Sequence, residues 1–402
     1  MVLRTGTPSR EAQIRKRHAV HAVVALLLVG AVVHGTAAAA TLTVSNTANG
    51  GPGSLRKAIA KANGNGPDAD RIVVKTNGTV RLGKALPGLA TDMRVKAPGA
   101  DRFAVRRDAE ADFRIFTVGP GATVRISGLT ARNGSAEQGA GILNQGVLTL
   151  KQVEITRNIG HAVAAASGAG IYNSGTLSVD RSAVTRNEFV FEGPCAPPGL
   201  ARRGSSECQP DGGAIVTVGP DLTITRSTIA LNGEITGPGP TASTTALRYG
   251  GGSLALIGVT LADNAGYQLG ASGFPGPLTA RNTIISDAGS PAPLDRTCQG
   301  RIGSLGHNFT NDTLDQSEMS SCGFDQATDQ AGADPALKPL GDYGGRTRTM
   351  ALPKASLAVD KGVAAAHTTD QRGKPRIFDV PAIVNAVGGD GADVGAFERQ
   401  GG

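Results

Sequence analysis

The chain predicts an all-β fold, a single-stranded parallel β-helix with a short helix capping its N-terminal end. Three observations predict it. One eleven-residue phrase recurs through the middle of the chain, glycine-rich corners precede its copies, and the copies stand about one solenoid turn apart. Aligned on the first leucine, the copies are LTLKQVEITRN (Leu148–Asn158), LSVDRSAVTRN (Leu177–Asn187), LTITRSTIALN (Leu222–Asn232) and LALIGVTLADN (Leu254–Asn264). Looser copies flank them: VRISGLTARN (Val124–Asn133), with its Asn one residue early, and LTARNTIISDA (Leu278–Ala288), with Asp287 near that place. The intervals are 24, 29, 45, 32 and 24 residues. A fixed phrase at such a period signals a solenoid, whose repeats bury their apolar faces only by stacking.

Offsets 0 and 2 of each copy are apolar (Leu148 and Leu150, Leu177 and Val179, Leu222 and Ile224, Leu254 and Leu256). In a strand, residues two apart share a face, so these pairs point inward. Ile155, Val184, Ile229 and Leu261 at offset 7 begin a second inward position, and the gap fits a bend between two short strands. The polar residues of that gap are expected to face water. The Asn at offset 10 suits a sharp corner, because Asn tolerates the left-handed backbone region. Stacked at strand spacing, identical amides can also bond to one another as a ladder. GAGILNQG (Gly139–Gly146), GAGIYNSG (Gly168–Gly175) and GGAIVTVG (Gly212–Gly219) are the remaining corners. A leucine-rich repeat horseshoe needs helices or a fixed L-x-x-L-x-L-x-x-N phrase, and neither occurs.

The chain opens with Arg4, Arg10, Arg15, Lys16 and Arg17, an apolar run from Ala19 to Val33, and small residues at Ala37–Ala40. Residues 1–40 therefore read as a secretory signal peptide, and no transmembrane segment is expected in the mature chain. Those residues hold five Lys/Arg and one acid, so the formal charge falls from +7 to about +3 without them. The high pI is largely a targeting feature, and no basic stripe argues for nucleic acid. The expected organisation is an N-terminal cap and first coils at 41–121, regular coils at 122–289 with inserts at 188–211 and 233–250, and C-terminal coils and cap at 290–402. Residues 41–402 would form one continuous solenoid. Cys195 and Cys208 bracket one irregular stretch and Cys298 and Cys322 another, which predicts two local disulfides.

After the signal, Thr41–Val44 alternates like a strand and Ile72–Val74 reads as a second. Between them Ser54 is a good helix N-cap, Leu55, Ala58, Ile59 and Ala62 fall on one helical face, and Asn63-Gly64 supplies the stop. Such a helix would plug the apolar end of the first coil.

GSLRKAIAKAN (Gly53–Asn63) resembles the N-terminal CSLREAI-x-x-AN segment of secreted β-helix proteins, with Gly53 in the Cys place and Lys57 in the Glu place. DPALKPLGDYGGRTRTMALPKASLAVDKG (Asp334–Gly362), TDQRGKPR (Thr369–Arg376) and DVGAFE (Asp393–Glu398) resemble the C-terminal region of the choice-of-anchor Q proteins. The resemblance implies a secreted right-handed parallel β-helix of the pectin-lyase type and implies little about activity. The group is named for varied sorting signals beyond the shared region. The chain stops four residues past Glu398, so no anchor is expected in it.

That fold type invites a polysaccharide lyase or glycoside hydrolase reading, which needs clustered carboxylates for Ca²⁺ with a basic residue, or a carboxylate pair. Offset 3 reads Lys151, Asp180, Thr225, Ile257 and offset 4 reads Gln152, Arg181, Arg226, Gly258, and neither column collects acids. Asp180 beside Lys151 and Arg181 reads as a solvent-exposed ion pair. With no Trp and four Tyr, a stacking platform for sugars is not expected. The acid-rich stretch Asp312–Asp334 offers oxygen ligands for Ca²⁺, but its spacing fits no EF-hand, and a solvated loop tied by Cys298–Cys322 is the simpler reading. GGDGAD (Gly388–Asp393) matches the start of a Ca²⁺-binding nonapeptide in a single copy, which cannot build that roll. Asp393 is better read as a structural hydrogen-bonding residue in a closing coil. Of the mature histidines His161, His307 and His367, none has a G-x-S-x-G partner, and His161 is expected at a corner.

No catalytic, cofactor-binding or metal-binding residue is therefore assigned, and no cofactor is expected. The expectation is an exported, non-enzymatic β-helix, secreted or at the cell surface (or in the periplasm), acting as an interaction or adhesion scaffold for a surface protein or polysaccharide. Its inserts would meet the partner. The rivals are a polysaccharide lyase or hydrolase and a self-associating structural protein.

Overall fold

Four walls of parallel strands enclose the core, and one coil of the chain visits each in turn. In the coil that carries the first full copy these strands are Ile142–Asn144, Val147–Lys151, Glu154–Thr156 and Ile159–Ala162. The first wall has seven strands, the second ten, the third nine and the fourth four, and hydrogen-bonded neighbours come from successive coils. This is a parallel β-helix. The structure is a computed structural model and describes residues 38–66, 68–162, 167–191, 212–236, 244–271, 276–289, 297–312 and 322–401. The expected signal segment lies almost wholly outside the described residues, as do Cys195 and Cys208. Among the described residues no helix is long and apolar enough to cross a membrane.

The repeat phrase sets the register. Leu148, Leu177, Leu222, Leu254 and Leu278 are successive Cα partners in the second wall, and Ile155, Val184, Ile229, Leu261 and Ile285 in the third. All are buried. Each such side chain contributes about 1.5–3 kcal/mol on leaving water, and a one-residue slip would turn the second-wall set outward.

The two corners after each second-wall and third-wall strand are made by side-chain-bearing residues in the left-handed region. Gln152, Arg181, Arg226 and Asn282 turn the first, with φ between 44° and 54°, and Gly258 joins them at 63°. Arg157, Arg186, Leu231 and Asp263 turn the second, with φ between 53° and 59°. The expectation that the offset-10 Asn itself adopts this conformation is therefore corrected by one residue: the Asn follows the corner and is freed for another task. Asn133, the early one, does occupy the corner at φ 59°, in the place that Arg157 takes one coil later.

That other task is the ladder. Asn158, Asn187, Asn232 and Asn264 are buried, and each donates its Nδ2 to the next Oδ1 at 2.8 Å. Asn264 closes the run on Gln268 Oε1 at 2.6 Å. Each Oδ1 also accepts the preceding coil's backbone N–H, as Asn187 does from Asn158 N at 3.1 Å. At the corner between first and second walls, Gly146, Gly175 and Gly219 stack so closely that a Cβ on Gly175 would meet Gly146 O at 2.0 Å.

The helix spans Leu55–Ala62 with Ser54 as N-cap, its side chain accepting from Lys57 N, and it buries Leu55, Ala58, Ile59 and Ala62. It packs on the first two strands of the second wall, Thr41–Val44 and Asp70–Val74. Arg56 is a staple: it bonds Asn49 O at 2.7 Å and Lys84 O at 2.7 Å. Asn63 does the same with Gly88 O and Ala90 N.

The intervals expected as inserts hold coil strands at their ends. Glu188–Phe191 and Ile235–Thr236 belong to the fourth wall, and Thr245–Tyr249 to the first. Residues 192–211 and 237–243 lie outside the described residues. Towards the C-terminus, Cys298–Gln299, Gly303–Ser304 and Phe309–Thr310 continue three walls, and a disulfide joins Cys298 to Cys322.

Residues beyond 334 then turn back and lie along the outer face of the third wall, over earlier coils. Gly395 N bonds Asn282 O at 2.9 Å, Ala396 N bonds Thr260 Oγ1 at 3.0 Å, and Gln371 Oε1 takes Thr228 Oγ1 at 2.6 Å. Thr347 reaches Arg181 O, and Arg346 reaches Asp101, 245 residues away. Two outer apolar clusters seal this strap. One joins Met350 to Ala230 and Ala262, the other Leu352, Val359, Val394 and Phe397 to Ile284 and Phe309. Asp393 accordingly sits in the strap and not in a further coil.

Replacing Asn187 by Ala should lower stability by several kcal/mol, since about 1–3 kcal/mol attends each buried group left without its partner and the change strands groups on two neighbouring coils. A denaturant-midpoint comparison with Asn77→Ala, on the exposed surface, checks this. Leu55→Asp with Ile59→Asp should uncap the core and cause aggregation, and a monodisperse, soluble double variant in light scattering would count against the cap.

Candidate functional site

Where the strap reaches the early coils it leaves a groove of about 620 Å³ between Gly345–Arg348 and the third wall, over Thr79, Ala104, Thr130, Arg132, Glu154 and Arg157. A second hollow of about 460 Å³ adjoins it, lined by Asn133, Arg157, Ile159, Arg186, Glu188, Leu231 and Glu234. Arg157 borders both.

Parallel register puts arginines in a row here. Arg81, Arg106 and Arg132 are successive partners on the outer face of the third wall. Arg157 and Arg186 follow at the corner, one coil apart and next to the paired Thr156 and Thr185. Asp108 bridges Arg81 at 3.2 Å and Arg106 at 3.1 Å. Glu154 Oε1 takes Arg348 Nε at 2.6 Å, and Asp101 takes Arg346 at 3.2 Å. Among the described residues these acids are thereby engaged, and Arg132, Arg157 and Arg186 have no ion-pair or side-chain hydrogen-bond partner. Arg132 Nε and Arg186 Nη1 are buried without one. Burial lowers the pKa of both arginines, and neighbouring guanidinium groups lower it further: Arg106, Arg157 and Arg81 for Arg132, Arg348 and Arg157 for Arg186. Glu154 opposes both shifts, and the cluster carries positive charge that no ion pair neutralises in a concave place.

The second hollow holds a carboxylate pair. Phe189 and Ile235 are Cα partners, so Glu188 and Glu234 stand one strand spacing apart, about 4.8 Å at Cα. Burial raises the Glu188 pKa, and the charge of Glu234 raises it further.

The strap is held by the residues that carried the family resemblance. Asp370 Oδ1 accepts Arg372 N and Lys374 N at 2.9 Å, and its Oδ2 accepts Arg372 Nε at 2.8 Å. The Arg372 guanidinium lies 3.7 Å from the Phe397 ring centre. Asp393 accepts from Asp360 N at 3.0 Å and Arg399 N at 2.6 Å. Glu398 accepts from Phe378 N and Asp393 N, with the buried Arg376 at 3.9 Å. Gln371 Nε2 bonds Thr347 Oγ1 at 3.0 Å and Arg348 O at 2.9 Å, tying this network to the groove's rim. Burial pushes Glu398 up to about 9, the Asp393 charge adding and Arg376 opposing, and burial pushes Asp393 up to about 6 against its backbone N–H donors and Arg376.

The residues weighed from sequence lie elsewhere. Asp180 is not a solvated ion pair: it bonds Arg226 at 2.6 Å and is 16% exposed, because Thr369 of the strap lies over Arg226. His161 is in the strand Ile159–Ala162 and not at a corner, whereas His307 is at one, with φ 59° and Nδ1 at 3.1 Å from Lys361 O. His367 is half-buried in the strap, and burial lowers its pKa, with Arg226 adding. Of the acid-rich stretch, Asp312 is buried rather than solvated and accepts Thr297 Oγ1 at 2.7 Å beside the disulfide. Cys298, Asp312 and Cys322 lie close enough to hold a metal ion, but the two sulfurs are bonded to each other. Asp325 pairs with Arg301, and Asp329 accepts Asn308 N and Ser304 Oγ. Asp390 accepts Ala364 N. Asp315 and Glu318 lie outside the described residues. No protein-family model and no curated protein matches the chain.

Glu398 and Asp393 keep protons in the folded state that the unfolded chain has lost between about pH 4 and pH 9. Stability should therefore fall as pH rises through that window. Melting temperatures measured from pH 5 to pH 9 should decline, and Glu398→Gln should flatten the upper part of the decline. An unchanged slope would remove Glu398 as its source.

Proposed function

We propose that the chain is an exported, non-enzymatic β-helix scaffold that engages a surface polysaccharide or protein through the groove under the strap. The observation that carries this reading is the set Arg132, Arg157 and Arg186, unpaired around a concave site, with Arg132 and Arg186 half-buried and Arg157 exposed. Uncompensated charge in a fold is unfavourable, and a site that keeps it is suited to a ligand that supplies the counter-charge. The rigid walls hold these arginines in place before binding, which lowers the ordering cost of association. The cleavable leader read in residues 1–40 supports export. The ordered run of C-terminal motifs supports membership of the choice-of-anchor Q group, since its acids and arginines form one buried network that fixes the strap.

One observation favours a second reading. Glu188 and Glu234 form a carboxylate pair in the adjoining hollow, the arrangement that glycoside hydrolysis requires. As an enzyme, the protein would use Glu188, whose pKa burial raises, as acid and Glu234 as base or nucleophile.

Purified mature protein should bind envelope fractions of its source cells, and Arg157→Ala with Arg186→Ala should weaken that binding at least tenfold while leaving the melting temperature within a few degrees. Unchanged binding would overturn the scaffold reading. Release of reducing sugar that is lost in Glu188→Gln would establish the enzyme instead.

A further inference from the structure

The groove's chemistry also narrows its ligand, an inference that rests on the groove being the binding surface. We infer that it takes a glycan bearing a phosphate or sulfate ester, the ester seated between Arg157 and Arg186 within reach of Arg132.

Geometry argues for a tetrahedral oxyanion. Arg157 and Arg186 come from equivalent positions on adjacent coils, about 4.8 Å apart at the backbone. Two forks side by side on one face present donors along two parallel lines, and Arg132 adds a third from the preceding coil. A phosphate or sulfate ester has three terminal oxygens directed to different sides and can bridge all three guanidinium groups. A carboxylate has two oxygens in one plane and can bridge two such groups, as Asp108 bridges Arg81 and Arg106, but it has no third oxygen to offer Arg132. Charge argues the same way. Of the acids near the groove, Asp101, Asp108 and Glu154 are already bonded to Arg346, Arg81 with Arg106, and Arg348, and Asp342 on the strap side accepts Gly344 N. Glu188, two residues after Arg186, and Glu234, one coil on, line the same hollow and turn that part of it against a second anion, so a single ester is favoured over a densely charged polymer.

The rest of the site suits sugar. The half-buried Thr79 lines the larger hollow, and Ile159 and Leu231 the smaller, giving a hydroxyl partner on one side and apolar contact on the other. The two volumes are of a size that buries a small saccharide.

The test is calorimetric titration of the full mature chain with glucose 6-phosphate, glucose 6-sulfate, glucuronate, glucose and inorganic phosphate. The two sugar esters should bind at least tenfold more tightly than glucuronate, and their ratio identifies which ester is preferred. Arg157→Gln and Arg186→Gln should each weaken ester binding at least tenfold, while Arg301→Gln, at an exposed ion pair on a later coil, should not. Ester binding equal to that of glucuronate, or insensitive to both variants, would overturn the inference. Equal binding of inorganic phosphate would remove its glycan component. If the esters fail while envelope binding still requires Arg157 and Arg186, the ligand class is wrong and the scaffold reading stands; if neither requires them, both fall.

Discussion

The amide ladder from Asn158 to Gln268 is the constraint on which the rest of this structure depends. A solenoid has no closed core, so each coil must be told where its neighbour lies. Apolar columns do this weakly, since leucine on isoleucine tolerates a small slide. A buried amide does not, because a slide strands a donor and an acceptor at once. Each rung bonds its neighbour's side chain and its backbone N–H, so one residue per coil fixes both spacing and register. Intervals of 29 to 45 residues between the asparagine rungs are then tolerated without shifting a column, since loop closure costs only slowly more with length.

The ladder works because the corner itself is delegated. A left-handed residue must precede each rung, and Arg157, Arg186, Leu231 and Asp263 accept it at a cost that the stacked coil overrides. Freed from a glycine's need for space, the corner can carry a long charged side chain. Arg157 and Arg186 do so in adjacent coils. The groove's charge is a product of how the coil turns.

This explains which parts were legible. A period announces itself in sequence, so the apolar columns, the glycine corners, the ladder and the polar columns Lys151–Asp180–Thr225–Ile257 could be read with their register. The helix was legible because Ser54, four apolar positions and Asn63 are local signals. The strap was not, because its contacts join residues more than a hundred positions apart and follow no period. It left a trace all the same. Positions flanking the offset-7 residue should be charged if that wall met water, yet they read Ala183, Thr228 and Thr260 on one side and Thr185, Ala230 and Ala262 on the other, all buried. Small neutral residues at both outward positions of one wall, in every full copy after Glu154, mean that something covers that face. The arginine row was missed for a different reason. Its members come from two columns, and the offset-9 column looks basic in only two of four copies.

The strap and the groove are therefore one device. Its motif residues lie at the end nearest Asn282, where Asp360, Asp393, Glu398 and Arg376 knot it against the late coils. Its far end is pinned by the exposed pair Arg346–Asp101 and by Arg348 on the buried Glu154, and between pins the third wall stays partly open. Gln371 connects the two regimes, taking Thr228 of the wall on one side and Thr347 and Arg348 of the rim on the other. Arg372 makes a second link, from Tyr343 O beside the rim to the Phe397 ring in the knot. Knot and rim are thus tied at two neighbouring residues, which holds the fold beneath a binding surface whose edge stays open.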